Sequence, residues 1–310
     1  MSITSSFPLP ETSYEFAQLD VFAERPLEGN ALAVFTDARG LSTEQMQSLA
    51  RETNLSETTF ILPRDPAIER EQGVQVRIFT VQEELQFAGH PTLGTASWLY
   101  WNHPTLKGAE QITLDLRVGR IPVRFTLPLP GERGVFGTMQ QKDPVFGAMH
   151  EDRTALAAAL GLSIDDLDPN LPIQTVSTGM AFCIVPLRSL EVAARLRIPA
   201  QASQDYLNRS DAKFFHCITP AAVGSTADWH ARMQFYNGED PATGSASGCA
   251  ISYLVRHGLV ASRQPIVIEQ GIEMLRPSRI HVQAALSGSI VSEVFVGGRT
   301  IPVATGRFFL

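Results

Sequence analysis

The sequence predicts an α+β fold with two similar domains. Most of its predicted elements are short strands that follow one another directly, a pattern that does not fit a series of strand–helix–strand crossovers. One motif occurs twice, 150 residues apart, which is about half of the chain length. At 310 residues, the chain is also longer than a typical single hydrophobic core requires.

In the first half, strands are predicted where apolar residues cluster or alternate between turn signals. These segments are 14–22, 30–36, 56–63, 73–80 and a hairpin over 111–127 that turns at Gly119. The segment 42–54 is predicted to be a helix, because Ser42 and Gln45 have the spacing of a capping box.

In the second half, helices are predicted over 151–161, 189–197 and 241–257. Gly161 and Gly258 favour helix ends, since glycine is preferred just after the last helical residue. Strands are predicted over 178–187 and 212–219 and again toward the end of the chain, where Gly297 and Gly298 indicate a tight turn.

Charge and hydropathy argue against two classes of partner, nucleic acids and membranes. The formal net charge is −7 and no cluster of Lys and Arg follows a path suited to a phosphate backbone, so we expect no nucleic-acid partner. No apolar run approaches the roughly 18 residues needed to cross a bilayer, so no membrane partner is expected. The first ten residues do not have the pattern of a signal peptide, and we therefore expect a cytoplasmic protein.

Cofactor and metal sites are not indicated. The three cysteines, Cys183, Cys217 and Cys249, have no CxxC spacing and are interpreted as small buried apolar residues. No GxGxxG follows a strand and no GxxxxGK[ST] occurs, which weakens dehydrogenase and kinase interpretations. The other six histidines show no metal-ligand spacing and are expected to be structural or surface residues: His103, His150, His216, His230, His257 and His281.

The repeated motif reads HPTLGTAS at 90–97 and DPATGSAS at 240–247. Proline is favoured at the first position of a helix, so each copy is predicted to begin a helix with the residue before the proline as its N-cap. That residue is His90 in the first copy and Asp240, a good N-cap, in the second. Small residues leave the first N–H groups uncovered, and two such helix N-termini in one cleft would favour a carboxylate. The alternative is that each copy merely starts a core helix, but the duplication favours a site for a small acid held between two domains.

Glu57, in the segment NLSETTF, lies between a helix end and an apolar strand. That pattern alone is weak evidence, since most glutamates are solvated surface residues. Together, however, Glu57, His90 and Asp240 would form a proton-transfer set, because burial can tune each of them toward neutral pH.

Five segments resemble the PhzF-like proteins, a family named for an isomerase of phenazine biosynthesis. They are FAERPLEGNALAVF, NLSETTF, FAGHPTLGTA, EDPATGSASG and EQGIEMLRPS, which occur in family order between about residues 16 and 280. The resemblance implies a diaminopimelate-epimerase-like fold, in which each domain wraps a mostly antiparallel or mixed sheet around a central helix and the active site lies in the cleft. We expect an N-terminal domain over 13–128, joined by the last strand at 300–310, and a C-terminal domain over 129–299.

The resemblance also implies a function. Family members commonly form homodimers and need no metal or organic cofactor, and the phenazine enzyme isomerises trans-2,3-dihydro-3-hydroxyanthranilate. On the matching positions, Glu57 would be the acid/base, and His90 and Asp240 would line the site and help to move or orient protons. Ser245 and the backbone around Gly89 and Gly244 would bind the polar groups of the substrate.

Related racemases place two cysteines at the paired helix starts, whereas this chain has His90 and Asp240 there, so two-thiol chemistry is not expected. The interpretation is therefore a cofactor-independent isomerase that moves a proton between carbons of a small carboxylic acid, with cyclic, dihydroaromatic acids among the candidates. The alternative is a non-catalytic acid-binding or regulatory protein on the same fold. A third reading, an oxidoreductase, would need a bound nicotinamide or flavin.

Overall fold

The computed structural model describes residues 12–127, 131–221, 225–235 and 238–310. Within them are seven α-helices and a large mixed sheet, so the α+β prediction is confirmed. The helices are α1 (Thr43–Thr53), α2 (Pro66–Gln72), α3 (Gly89–Asn102), α4 (Arg153–Ala159), α5 (Leu190–Arg195), α6 (Ala200–Leu207) and α7 (Gly244–Arg256).

The first nine strands are β1 (Ser13–Val21), β2 (Asn30–Phe35), β3 (Glu57–Leu62), β4 (Val74–Phe79), β5 (Glu84–Leu85), β6 (Gln111–Leu116), β7 (Gly119–Thr126), β8 (Val135–Gln140) and β9 (Val145–Met149). The others are β10 (Gln174–Ser177), β11 (Ala181–Pro186), β12 (Phe214–Pro220), β13 (Trp229–Arg232), β14 (Gln234–Phe235), β15 (Gly238–Glu239), β16 (Ile266–Gln270), β17 (Ser278–Ser287) and β18 (Ile290–Phe309).

Eight strands close into a ring around helix α3. They follow the order β1, β2, β3, β4, β6, β7, β8 and β18, and β18 pairs again with β1. Helix α3 contacts seven of these strands, and most of its residues are buried. A helix that is buried on nearly every side needs no separate polar face.

The sheet continues from β18 into the second half of the chain, through β17, β16, β13, β12, β11 and β10 to β9. Helix α7 packs against β17, β18 and β10 to β12. Strand β18 therefore belongs to both halves: residues near its start pair with β17, and residues 300–309 complete the ring beside β1. The division into two domains at 128/129 stays a prediction, and residues 128–130 lie outside the described part of the chain.

The turn predicted at Gly297–Gly298 is wrong, because both glycines lie inside β18. A Cβ on Gly297 would come 2.7 Å from the carbonyl oxygen of Gly137, and one on Gly298 would come 2.5 Å from the Phe22 ring. The glycines are therefore explained by close packing rather than by chain reversal.

The predicted helix over 42–54 is confirmed as α1, with its capping box. The Ser42 hydroxyl accepts from the Gln45 amide, and the Gln45 side chain accepts from the Ser42 amide. The remaining predicted helices are present but shorter, since α4, α5 and α7 lose one to three residues at their ends.

Candidate active site

The two copies of the repeated motif face each other. Gly89 is the first residue of α3 and Gly244 is the first residue of α7. A Cβ placed on Gly89 would lie 3.6 Å from the backbone nitrogen of Ser245 and 3.8 Å from the Cα of Gly244. The N-terminal ends of the two central helices thus meet at one place, and glycine at both positions lets the backbones come this close.

The predicted helix caps are wrong, because neither His90 nor Asp240 is a cap residue. Ala88 precedes α3, so His90 is already the second helical residue. Thr243 precedes α7, and Asp240 lies three residues before it. The Asp240 carboxylate is instead engaged by side chains, accepting from Asn30 Nδ2 at 2.7 Å and from Thr243 Oγ1 at 2.5 Å.

Glu57 is the first residue of β3 and follows the sharp turn at the end of α1, where Asn54 adopts a left-handed conformation. Its Oε2 atom lies 3.5 Å from Nε2 of His90. The His90 side chain is 5% exposed and that of Glu57 is 18% exposed. Among the described residues, no group forms a hydrogen bond with the buried Nε2 of His90, which leaves it available to a ligand or to the Glu57 proton.

Two buried amide side chains hold Asp240 and were missed by the sequence analysis. Asn30, at the start of β2, also donates to the carbonyl of Ala242 at 3.1 Å. Gln270, at the end of β16, donates to the carbonyl of Asp240 at 2.6 Å and to Thr243 Oγ1 at 3.0 Å. The available signal was their position: Asn30 and Gln270 lie within two of the five segments that carry the family resemblance.

The segment that carries Asn30 is fixed by an ion pair between the two halves of the chain. Arg276 donates to the fully buried carboxylate of Asp20 at 2.8 Å and to the carbonyl of Gly29 at 3.0 Å. The Gly29 amide in turn donates to the carbonyl of Pro277 at 2.9 Å. Asn30 is thereby placed opposite Asp240.

Burial sets the protonation of the three titratable groups. It raises the pKa of Glu57 to about 8, and the nearby charge of Asp240 adds to that rise. It lowers the pKa of His90 to about 3 and raises the pKa of Asp240 to about 6, against the hydrogen bonds from Thr243 and Asn30. At neutral pH, Glu57 is therefore mostly protonated and His90 is neutral, so their contact is a carboxyl group beside a neutral imidazole and not an ion pair.

Ser245 is the one residue in the first turn of α7 that is partly exposed. The start of the helix is braced from behind by Gln141, whose amide donates to the carbonyl of Gly244 at 2.9 Å. Gln141 fits there only because Gly248 has no side chain, since a Cβ would lie 1.9 Å from its Oε1. Ser245 thus lies beside Gly89 on a supported helix end.

Within the described residues, no group of three or more His, Cys, Asp or Glu side chains is arranged to hold a metal ion. The helices of the same residues include none with the length and apolar character needed to cross a membrane.

Comparisons with known proteins show which sequences and folds this chain is similar to. A family model described as phenazine biosynthesis-like protein, PhzC-PhzF, matches residues 19–306. The chain is 36% identical to a trans-2,3-dihydro-3-hydroxyanthranilate isomerase of Pseudomonas aeruginosa, over 96% of this chain and 100% of that protein. A PhzF-family phenazine biosynthesis protein of Bacillus anthracis superposes with a TM-score of 0.84 at 25% identity, covering 96% of this chain and 100% of that one. A predicted epimerase of Pseudomonas aeruginosa gives a TM-score of 0.80 at 36% identity, with 96% and 99% covered.

Proposed function

Because the chain belongs to the PhzC-PhzF family and is an isomerase, we propose that it moves a proton between two carbon atoms of a small carboxylic acid, with Glu57 as the acid/base. The observation that carries this proposal is the position of Glu57. Its carboxyl group lies 3.5 Å from a buried imidazole nitrogen that has no hydrogen-bond partner among the described residues, near the place where two helix N-termini meet.

The proposed reaction needs Glu57 in both of its protonation states. The carboxylate form takes a proton from one carbon, the electron pair of that C–H bond enters the conjugated system of the substrate, and the carboxylic acid form returns the proton to a second carbon. No net oxidation occurs and no atom is lost. A pKa of about 8 suits this cycle, since both forms are accessible near neutral pH.

The other residues hold the substrate and the base. The helix N-termini at Gly89 and Gly244 supply N–H groups and partial positive charge for the substrate carboxylate, and Ser245 supplies a hydroxyl. Neutral His90 donates to or accepts from Glu57 and the substrate. Asp240 accepts a hydrogen bond from a substrate amine or hydroxyl. Relatives named trans-2,3-dihydro-3-hydroxyanthranilate isomerase make that dihydroaromatic amino acid the first substrate to test.

The test compares the wild type with Glu57→Gln in heavy water, with NMR spectroscopy of that substrate. Glu52→Gln is the matched control, because Glu52 is an exposed glutamate five residues away, at the end of α1. We expect the wild type and the control to convert the substrate and to place deuterium on the carbon that receives the proton. Glu57→Gln should lose about 10³-fold in rate and still bind the substrate.

Two outcomes contradict the proposal. Turnover with deuterium uptake in Glu57→Gln would exclude Glu57 as the acid/base. Binding of small carboxylic acids by the wild type, with no turnover and no exchange for any of them, would favour the non-catalytic acid-binding protein on the same fold.

A further inference from the structure

The two halves of the chain also share a pair of ion pairs with the same geometry. These lie 155 residues apart, in register with the helix starts at Gly89 and Gly244. In the first half, Arg77 on β4 binds Glu84 on β5, with Nε–Oε1 and Nη2–Oε2 distances of 2.7 Å. In the second half, Arg232 on β13 binds Glu239 on β15, at 2.7 and 2.6 Å for the same atoms. The spacing is seven residues in each case, and each glutamate lies in a short strand just before one of the two helix starts.

The two pairs differ in burial. The side chain of Arg77 is 22% exposed, and its other donors go to the Thr43 hydroxyl and the Met46 sulfur. The side chain of Arg232 is 2% exposed and also donates to the carbonyls of Ala193 and Leu196. Because the buried Arg232 guanidinium makes all of these hydrogen bonds, it is held in one position, and it holds the Glu239 carboxylate in turn.

The pairs also differ in their sequence separation from the titratable residue of the site. Glu84 is six residues before His90, whereas Glu239 is bonded directly to Asp240. The Asp240 amide donates to the carbonyl of Met233, the residue after Arg232, at 2.9 Å. The peptide between Glu239 and Asp240 is therefore held on both sides. The Glu239 side chain binds Arg232, and the Asp240 amide donates to Met233.

We propose that the Arg232–Glu239 ion pair is a positioning element of the site, which fixes the chain before Asp240 and screens the Asp240 carboxylate from the charge of Glu239. This inference rests on the proposed function for its role in catalysis, but not for the electrostatic effect itself. Without Arg232, Glu239 would be a poorly compensated negative charge beside a second carboxylate, and like charges disfavour each other's ionised forms.

Several charged groups face Asp240 and Arg232 from the surrounding elements. Glu57 approaches Asp240 from β3, and its charge and that of Asp240 interact. Glu273, in the short helical turn after β16, lies 3.6 Å from Arg232 Nε and 3.1 Å from His230 Nε2. His230 also binds Glu269 at 3.2 Å, and Glu269 pairs with Arg279 at 3.3 Å. One ion-pair network therefore joins the cations Arg232, His230 and Arg279 to the carboxylates Glu239, Glu273 and Glu269, and Glu239 is the member next to Asp240 in the chain.

The test is an NMR titration of aspartate carboxyl carbons in protein labelled with ¹³C-aspartate, with the Asp240 signal assigned from Asp240→Asn. Arg232→Lys keeps the charge but loses the two-pronged contact, so the midpoint of the Asp240 titration should rise by about one pH unit. Glu239→Gln removes the neighbouring negative charge and should lower the midpoint by a similar amount. Arg77→Lys makes the same change at the equivalent pair, whose glutamate is not adjacent to Asp240 in the chain, and should leave the midpoint unchanged.

Opposite shifts in the two variants support the proposal, because a purely structural defect would not change sign with the charge removed. Glu239→Gln provides the readout if Arg232→Lys does not fold. An unchanged Asp240 midpoint in the folded variants, or equal shifts in Arg77→Lys, would overturn it. The titration needs no substrate, so the absence of isomerase activity in the wild type would refute the proposed function without deciding this inference.

If the protein has the proposed activity, kcat should also change more in Arg232→Lys than in Arg77→Lys. Arg232→Lys is expected to lower kcat about tenfold and to move the pH profile of kcat/KM, while Arg77→Lys stays within about twofold of the wild type.

Discussion

Replacing Glu57 by glutamine is expected to make the protein more stable at high pH and to change its stability little at low pH. Burial raises the pKa of Glu57 from 4.5 to about 8, so the folded state holds this proton while the unfolded state has already released it. For a group of this kind, the stabilising effect of the bound proton is present below pH 4.5 and is lost as the pH rises toward 8. Glutamine is neutral at every pH and escapes this loss.

The size of the effect follows from the two pKa values. Each pKa unit corresponds to about 1.4 kcal/mol, so the wild type should lose about 4 kcal/mol of unfolding free energy between pH 5 and pH 9 that Glu57→Gln retains. In Glu57→Gln, the ionised form of Asp240 is also more favourable in the folded state, because it no longer faces a charged Glu57.

The measurement is urea unfolding of the wild type, Glu57→Gln and Glu52→Gln at pH 5, 7 and 9. The wild type and Glu52→Gln should lose stability in parallel, while Glu57→Gln becomes relatively more stable with each step. If the difference between Glu57→Gln and the wild type is the same at all three pH values, Glu57 is not held in a buried, charge-disfavouring site, and the electrostatic reasoning fails.

Three further predictions concern neighbouring residues. Asp240→Asn removes a negative charge that raises the pKa of Glu57, so the rising limb of kcat/KM against pH should move to lower pH; an unmoved limb would show that the two groups are uncoupled. Gly89→Ala places a methyl group at ordinary van der Waals distance, 3.6 Å, from Ser245 N, between the two helix N-termini. Calorimetry should therefore show about tenfold weaker binding of the acid, while the free energy of unfolding stays within about 0.5 kcal/mol of the wild type. Gly94→Ala would bring its Cβ 2.5 Å from a Leu32 methyl group, so thermal unfolding should reveal a loss of about 1–2 kcal/mol, with acid binding retained.

The sequence was most informative where local pattern and chemistry coincide. The repeat at residues 90–97 and 240–247 correctly predicted that a helix begins at each copy, and the structure brings the two helix starts together. The register was wrong, because Gly89 and Gly244 begin the helices and lie 155 residues apart, not 150. The capping box of α1 was likewise predicted from residues that are close together in the sequence. The roles of Glu57, His90, Asp240, Gly89, Gly244 and Ser245, like the homodimer and the cytoplasmic location, stay predictions.

The contacts that orient Asp240 could not be predicted in this way, because their partners are far apart in the chain. Asn30 and Asp240 are separated by 210 residues, and Asp20 and Arg276 by 256. Asp240 was expected to cap a helix because Asp before Pro commonly does so. A local rule of this kind does not register a buried amide from another strand that competes for the same carboxylate.

The two glycines of β18 illustrate the same limit. Gly-Gly is a strong turn signal when only neighbours in sequence are considered. At Gly298 the deciding neighbour is the Phe22 ring, which comes from the far end of the chain and occupies the space that a side chain would need.

The path of β18 has a consequence for the order in which the molecule assembles during synthesis. The ring around α3 is made from the first 140 residues plus residues 295–309, so the ribosome completes nearly the entire second half before the missing strand emerges. Until then, β1 and β8 present unpaired edges and the apolar helix α3 has an open side. We therefore expect nascent chains arrested before residue 295 to be susceptible to proteolysis in both halves, and protection of the two halves to appear together once the last strand is released.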